Sequence, residues 1–510
     1  MVQAVIEIGS TGIRLLVAQS SGKGKQQKFT ILDRSDNPVN LGRDVFTTGT
    51  ISRETLVASL KILERYKEQL ASYDIPDEET TVIATSAVRE AANRDPFVDR
   101  VKVRTGWSVK VLDGIDENRL MYIAVADRLK DESASVRQSN SIILDITGGA
   151  TEMMVMEKGR IVGAHSIRLG TIIVEQMLHS MMGTMDDARR FIGEYIRNTK
   201  KTLSSEMNLK KIQHFIVLGK GMQKIAGIIG TSVSSFLWEM ERTEFDSFAD
   251  KVQNYTPEEI IEQFKLTYPE AVSFQVSLVA YKLFLSLTNV KKIIVADTTT
   301  QMGLLLSRNI NTNEEIIEDF NQQIAAGASS LLKKYQGDQQ HAEYVKNASL
   351  KIYDALEDEL GLDRHARTLL EVSAILHDVG MFIRADDHNI HGKYIVNNSE
   401  IFGLNRDDKS LVATIVGYHK GTRQPMNEDD VKLLPRSSRM IVLKLTAILR
   451  LADAMDRNHR QSLKEFRISK TADTFTIRTK GHHNLSMEKL VLEQKGSLFE
   501  NVFGYKIVLL

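Results

Sequence analysis

The chain has 510 residues, with 66 Lys+Arg against 66 Asp+Glu, a formal net charge of +0, and no cysteine. Charge balance argues against a protein dominated by nucleic-acid binding, and the lack of cysteine excludes disulfides and thiolate metal sites and fits a reducing cytoplasm. No apolar run approaches the roughly 18 residues that span a bilayer, Met1-Val2-Gln3-Ala4 leads straight into a strand pattern rather than a signal peptide, and the length suggests two to four domains.

The first predicted element is an apolar strand with one acid, Ile6-Glu7-Ile8, followed by the small-residue turn Gly9-Ser10-Thr11-Gly12 and a second strand from Ile13 to Val17. Ser21 to Gln27 reads as a polar hairpin loop. A helix is expected over Arg53–Tyr73, a short buried strand at Thr81–Ala84, a helix start at Ser86–Asn93, a strand at Ser108–Leu112 and a helix over Glu117–Lys130. The pattern then returns: Leu144-Asp145-Ile146, the turn Thr147-Gly148-Gly149-Ala150, and a strand from Met153 to Met156 within a hairpin over Ser141–Ile161. An acid at a strand end beside a turn of small residues suits phosphate chemistry. Free backbone N–H groups cradle phosphate oxygens while the carboxylate holds a metal ion or a water. Its repetition suggests two facing clamps on two related α/β domains. The strand Phe215–Leu218 ends in Gly219-Lys220-Gly221, which suits either a phosphate site or a plain strand–helix connection, and Lys292–Asp297 is the last strand of this kind.

Near Ser307–Asn313 the character changes. From there to about Arg460 the chain reads as helical, and nine of the twelve histidines lie after residue 340. His341 opens a helix, His377-Asp378 follows an apolar run, and His391, His419 and Asp453 come after. Imidazoles and carboxylates in this mix suit Mn²⁺, Fe²⁺ or Zn²⁺. His365, His388, His459, His482 and His483 are expected at the surface without a role. The tail returns to strand patterns at Phe475–Ile477, Lys489–Leu492 and Tyr505–Leu510.

Together, Glu7-Ile8-Gly9-Ser10, Thr85-Ser86-Ala87-Val88-Arg89-Glu90-Ala91, Asp113-Gly114-Ile115-Asp116-Glu117-Asn118-Arg119-Leu120 and Asp145-Ile146-Thr147-Gly148-Gly149-Ala150-Thr151-Glu152 resemble the exopolyphosphatase / guanosine-pentaphosphate phosphatase (Ppx/GppA) family. The resemblance covers nearly the whole chain. It implies two actin-like (ribonuclease H-like) ATPase-fold domains (1–125 and 126–306), an all-α HD-type domain (307–463) and a small α+β cap (464–510). It implies a hydrolase releasing terminal phosphate from inorganic polyphosphate or guanosine pentaphosphate, cytoplasmic and homodimeric, with no DNA or membrane partner. In this resemblance Glu117 is the catalytic base. Glu7, Asp145 and Glu152 are the acids of a Mg²⁺ site, and Gly9, Ser10, Thr11, Arg89, Gly148, Gly149 and Ala150 bind phosphate. His341, His377, Asp378 and Asp453 match the ligand set of HD-type phosphohydrolases, with His391 and His419 as further ligands or phosphate contacts.

The chain departs from the family pattern. Glu7 stands where Asp is usual, Ser10-Thr11-Gly12 where Ser-Asn-Ser is usual, and Thr147-Gly148-Gly149-Ala150 where Gly-Gly-Gly-Ser is usual. Thr299-Thr300-Gln301-Met302-Gly303 replaces Gly-Leu-Arg-Glu-Gly, and a threonine at a glycine needing positive φ would strain the turn. Two alternatives follow: a metal-dependent HD-type phosphohydrolase with a regulatory actin-like half, and a polyphosphate or nucleotide sensor without turnover.

Overall fold

A computed structural model of the protein describes residues 2–22, 28–130, 138–206, 208–310, 314–421, 424–461, 463, 465–479 and 486–510. Most of the hairpin loop expected at Ser21–Gln27, and both His482 and His483, lie outside them. The chain divides into two compact units, Met1–Asp319 and Phe320–Leu510.

The first unit contains two sheets. Strands β1 (Val2–Ile8), β2 (Gly12–Ser21), β3 (Lys28–Pro38), β4 (Thr80–Ala84) and β5 (Val109–Val111) lie in the order β3-β2-β1-β4-β5. β1 is antiparallel to β2 and parallel to β4. In the second sheet β6 (Ser141–Ile146), β7 (Thr151–Glu157), β8 (Arg160–Ile167), β9 (His214–Val217) and β12 (Lys292–Ala296) run β8-β7-β6-β9-β12, the same order, with β11 (Leu237–Glu241) and β10 (Thr231–Ser234) added at the edge. The sequence repeat is thus a duplicated fold. β1 and β6 are central, covered on both faces, and so nearly continuously apolar; Ala4 to Ile6 and Ile142 to Leu144 are all buried. Ile6, Ile8, Leu15, Val82 and Phe97 share one core, and Leu144, Met153, Phe215, Val217 and Phe284 share another.

The segment Thr299–Gly303 carries no strain. Neither threonine has positive φ. Instead Thr300 opens a helix, Thr300–Ile310, and Gln301 Nε2 donates to the carbonyls of Val5 and Arg14 at 3.0 and 3.1 Å. Because the backbone is helical here, the side-chain freedom of glycine is needed only at Gly303. A Cβ there would lie 2.1 Å from the carbonyl oxygen of Leu120, on the helix Gly114–Leu129.

In the second unit the helices Gln339–Ala355, Arg364–Leu376, His388–Asn397, Arg406–Tyr418 and Arg436–Ala454 surround a core in which the last is central, with Val442, Leu445, Ile448, Leu449 and Ala452 buried. A three-stranded sheet follows, β13 (Phe466–Lys470), β14 (Thr474–Thr479) and β15 (Lys506–Leu509). The strand expected at Lys489–Leu492 is instead part of a helix, Ser486–Lys495. Its run contains one β-branched residue, and Leu, Glu and Lys elsewhere in the segment favour a helix.

Replacing Gly303 by Ala is expected to force the two helices apart and destabilise the first unit by about 1–3 kcal/mol. Thermal unfolding checks this; an unchanged Tm would show that the helices do not approach so closely.

Candidate functional site

Strand pairing sets the acids of the first unit. Glu7 on β1 faces Arg14 on β2, and Asp145 on β6 faces Glu152 on β7. The two positions are equivalent in the duplicated fold, yet the first acid meets a guanidinium and the second another carboxylate. Arg14 Nη1 pairs with Glu7 Oε1 at 2.9 Å, and Nη2 donates to Thr11 Oγ1 at 2.7 Å. The turns also correspond: Gly9 N donates to Gly12 O at 2.9 Å, and Thr147 N donates to Ala150 O at 2.9 Å. Thr147 Oγ1 adds a second brace, donating to Ala150 O and accepting from Ala150 N. Thus the Thr147 hydroxyl is engaged within its own turn. Among the described residues, the amides of Ser10, Thr11, Gly148 and Gly149 donate to no backbone carbonyl.

The turns meet. A Cβ on Gly148 would lie 3.2 Å from Ser10 Cβ and from Thr11 Cγ2, and one on Gly149 would lie 2.3 Å from Ser86 Oγ. Ser10 and Ser86 hydroxyls are 3.0 Å apart. These contacts require small residues on both turns, which is why their composition is so restricted.

Glu117 sits in the first turn of the helix Gly114–Leu129, capped by the Asp113 carboxylate accepting from Asp116 N at 2.7 Å. It is buried and paired with Arg89, whose Nη1 also donates to the Leu112 carbonyl at 2.7 Å. Burial pushes the Glu117 carboxyl up to about 7 although Arg89 opposes this, and Glu7 and Asp145 add to the rise. Burial and the Glu7 charge push Asp145 up to about 6, partly offset by Arg14. Glu152 is raised well above the usual carboxylate range, by burial and then by Glu117.

Two residues without an expected role hold Glu152. Asn118 Nδ2 donates to its Oε2 at 2.7 Å, and Ser166 Oγ donates to its Oε1 at 2.7 Å. Asn118 lay in the quoted sequence beside Glu117, so its position was visible but its partner was not. Tyr281 is another such residue: its hydroxyl donates to Leu218 O at 2.9 Å and accepts from Ile146 N at 3.3 Å. Glu7, Arg89, Glu117, Asp145 and Glu152 therefore lie within electrostatic reach of one another, and the two turns are in contact.

The crowding is a test of fit for a divalent ion. Carboxylates gathered this closely lean toward protonation, and oxygen donors are the ligand type that Mg²⁺ takes. Glu7, Asp145 and Glu152 offer donors of that type.

The histidine cluster forms within the second unit. His341 Nε2 lies 3.1 Å from His377 Nε2, 3.6 Å from Asp453 Oδ1 and 3.8 Å from Asp378 Oδ2. On the other carboxylate oxygen, Asp378 Oδ1 is 3.1 Å from His388 Nε2 and 3.4 Å from His419 Nε2, and these two nitrogens are 3.2 Å apart. His388 thus takes the place expected for His391. The loop before it decides this: a Cβ on Gly380 would lie 1.9 Å from His388 O, so the chain after Asp378 folds closely onto the helix His388–Asn397 and turns its first residue inward. His391, three residues on, is not among the clustered groups. His459 is exposed, as expected, but it is not without contacts. Its ring stacks on His341 at 3.6 Å, and Nδ1 lies 3.0 Å from Asp338 Oδ2. His365 bonds Asp408 away from the cluster.

Each clustered imidazole is held by its other nitrogen. Nδ1 of His377, His388 and His419 donates to the carbonyls of Ala374, Ala385 and Val416 at 2.7–2.8 Å, and Nδ1 of His341 lies 2.8 Å from Asp456 Oδ2. A carbonyl only accepts, so in His377, His388 and His419 a proton sits on Nδ1 and Nε2 faces the cluster. Burial lowers His377 to about 4, while Asp453 and Asp456 overcome burial to raise His341 to about 9. Asp378 is held far below the usual range by His377, His388 and His419 despite its burial. Lys495, from the helix Ser486–Lys495, pairs with Asp453 Oδ2.

Residues 17–311 match the Ppx/GppA phosphatase family, and residues 325–499 match domain III of the Ppx/GppA phosphatases. A guanosine-5'-triphosphate,3'-diphosphate pyrophosphatase of Photobacterium profundum is 22% identical over 459 residues, 88% of this chain and 86% of that protein. One of the same name from Aeromonas hydrophila is 21% identical over 493 residues, 93% of this chain and 91% of that protein. A solved exopolyphosphatase from Cytophaga hutchinsonii superposes with a TM-score of 0.54 at 19% identity, covering 61% of this chain and 99% of its own, which shows a shared fold. With the family match spanning more than half of the residues, the chain belongs to the Ppx/GppA phosphatase family.

Proposed function

We propose that the chain hydrolyses the terminal phosphoanhydride of a polyanionic substrate, inorganic polyphosphate or guanosine pentaphosphate, between the two turns. The observation that carries this is the convergence of Glu117 with Glu7, Asp145 and the turns Gly9–Gly12 and Thr147–Ala150 in one buried site. The names of the relatives in Photobacterium and Aeromonas support the substrate class. Hydrolysis of a phosphoanhydride needs positioning, charge neutralisation and an oriented water rather than covalent help from the protein. The amides of Ser10, Thr11, Gly148 and Gly149 are available for the terminal phosphate. A Mg²⁺ ion held by Glu7 and Asp145 would supply neutralisation of the developing charge. Glu117 takes the proton of the attacking water; the new P–O bond forms as the bridging P–O bond breaks and the shortened chain leaves as an anion. Arg89, paired with Glu117, is the cation that would also meet a phosphate oxygen. Its charge favours the ionised form of Glu117, the form that can take a proton.

A second reading concerns the helical unit. Three overlapping groups, His341–His377–Asp453, Asp378–His388–His419 and His341–Asp378–His459, gather imidazole nitrogens and carboxylate oxygens around Asp378. The His341 imidazole, raised to about 9, supplies a proton to its 3.1 Å contact with His377 Nε2, and a cation would occupy the same place. The donor set is that of a transition-metal centre of HD type, where the metal would activate water for hydrolysis of a nucleotide or phosphate ester.

Glu117→Gln is expected to reduce Mg²⁺-dependent phosphate release by at least ~100-fold, measured on long-chain polyphosphate and guanosine pentaphosphate; full activity would remove this mechanism. A carboxyl whose folded pKa is raised contributes stability below its unfolded pKa and loses it as pH rises through the folded value. The metal-free protein should therefore show a Tm that falls between pH 5 and 8 through Asp145 at about 6 and Glu117 at about 7, and Mg²⁺ should restore it most above pH 7. For the second site, elemental analysis after equilibration with Mn²⁺ or Fe²⁺ is expected to find bound metal in wild type and none in Asp378→Ala; equal content in both would dismiss the histidine centre.

A further inference from the structure

The segment Gly219-Lys220-Gly221 has no part in the chemistry above, yet it borders the clamp. A Cβ on Gly219 would lie 3.5 Å from Asp145 Oδ1. The next side chain, Lys220, leaves the second lobe and pairs with Asp36 on β3 of the first. Arg14 reaches the same carboxylate atom, its Nε 3.5 Å from Asp36 Oδ2, while its Nη1 holds Glu7 at 2.9 Å. Asp36 itself borders the first turn, since a Cβ on Gly12 would lie 3.1 Å from Asp36 Oδ1. The residues form a row of alternating charge, Glu7, Arg14, Asp36, Lys220, that starts at a clamp acid and ends outside, with the Lys220 side chain 65% exposed.

One carboxylate oxygen thus sits between a guanidinium from one lobe and an ammonium from the other. That is the position an anionic phosphate oxygen would take. Ion pairs this exposed contribute little to stability, so the arrangement has little structural cost to exchange. Lysine is well suited to the role, acting as a point charge toward phosphate.

We propose that Lys220, with Arg14, binds an inner phosphate of the substrate chain, and that Asp36 is the internal anion this phosphate displaces. The inference rests on the phosphoanhydride reading and deepens it: the clamp holds the terminal phosphate, and the Lys220–Arg14 pair selects substrates with further linked phosphates behind it. Lys220 is thereby a specificity residue, and Asp36 a competitor that weakens binding until a sufficiently charged chain arrives.

The test is calorimetric titration of the full-length protein with long-chain inorganic polyphosphate, in wild type, Lys220→Gln, Lys220→Arg and Asp36→Asn, with circular dichroism to check folding. Lys220→Gln is expected to raise the Kd about tenfold, Lys220→Arg to restore most of the affinity, and Asp36→Asn to lower the Kd several-fold. A Lys220→Gln Kd within twofold of wild type, or weaker binding by Asp36→Asn, overturns the proposal. Phosphate release by wild type, assayed in parallel, separates the two claims. Turnover with an unaltered Lys220→Gln Kd removes the role of Lys220 and leaves the reaction standing. Absence of both binding and turnover in wild type removes both.

Discussion

The first unit is organised around a concentration of buried negative charge. Glu7, Glu117, Asp145 and Glu152 lie between two sheets with Arg14 and Arg89 as the cations that share the space. A folded protein tolerates such crowding only if protons or metal cations supply the rest of the charge. Much of the surrounding architecture follows. The Glu117 helix is pinned by its Asp113 cap and by its contact with Gly303. Asn118 and Ser166 hold Glu152 with neutral donors, which leaves its charge to be settled from within the site. The same fold repeated twice supplies two first-strand acids, and the difference in their cross-strand partners, Arg14 against Glu152, makes the halves electrostatically unequal.

The sequence made the duplicated acid-and-turn pattern legible because it depends on local features: an acid at a strand end, small residues in a turn, and a second apolar strand. Strand pairing then carried those residues to equivalent places. The roles of Asn118, Ser166 and Tyr281 were not legible, because each acts on a group distant in the chain. The strain expected at Thr299 is absent for a related reason: comparison with another turn assumes the same backbone, and here Thr299 lies just before a helix that opens at Thr300 and has no positive φ.

The histidines show the limit most clearly. His388 and His391 lie on one helix, three residues apart, and both would present an imidazole to a neighbouring helix face. Choosing between them requires knowing where the preceding loop crosses the helix, which the Gly380 contact decides. His341, His377, Asp378, His419 and Asp453 could be named in advance because their order along the chain resembles the HD-type ligand set. What could not be read was that each imidazole is turned by a backbone carbonyl or by Asp456, and that two nitrogen pairs are brought nearly into contact.

Tyr281 gives the second lobe a property of its own. The ladder between β6 and β9 extends from Ser141–His214 to Leu144–Val217, and beyond it the phenol oxygen spans the two strands as they part. An aromatic strut inserted at the fork of a sheet fixes how wide the fork stands. The strand ends beside Asp145 are therefore braced by one rigid ring anchored in the helix Tyr268–Ser286, which ties their spacing to the packing of the lobe's hydrophobic interior.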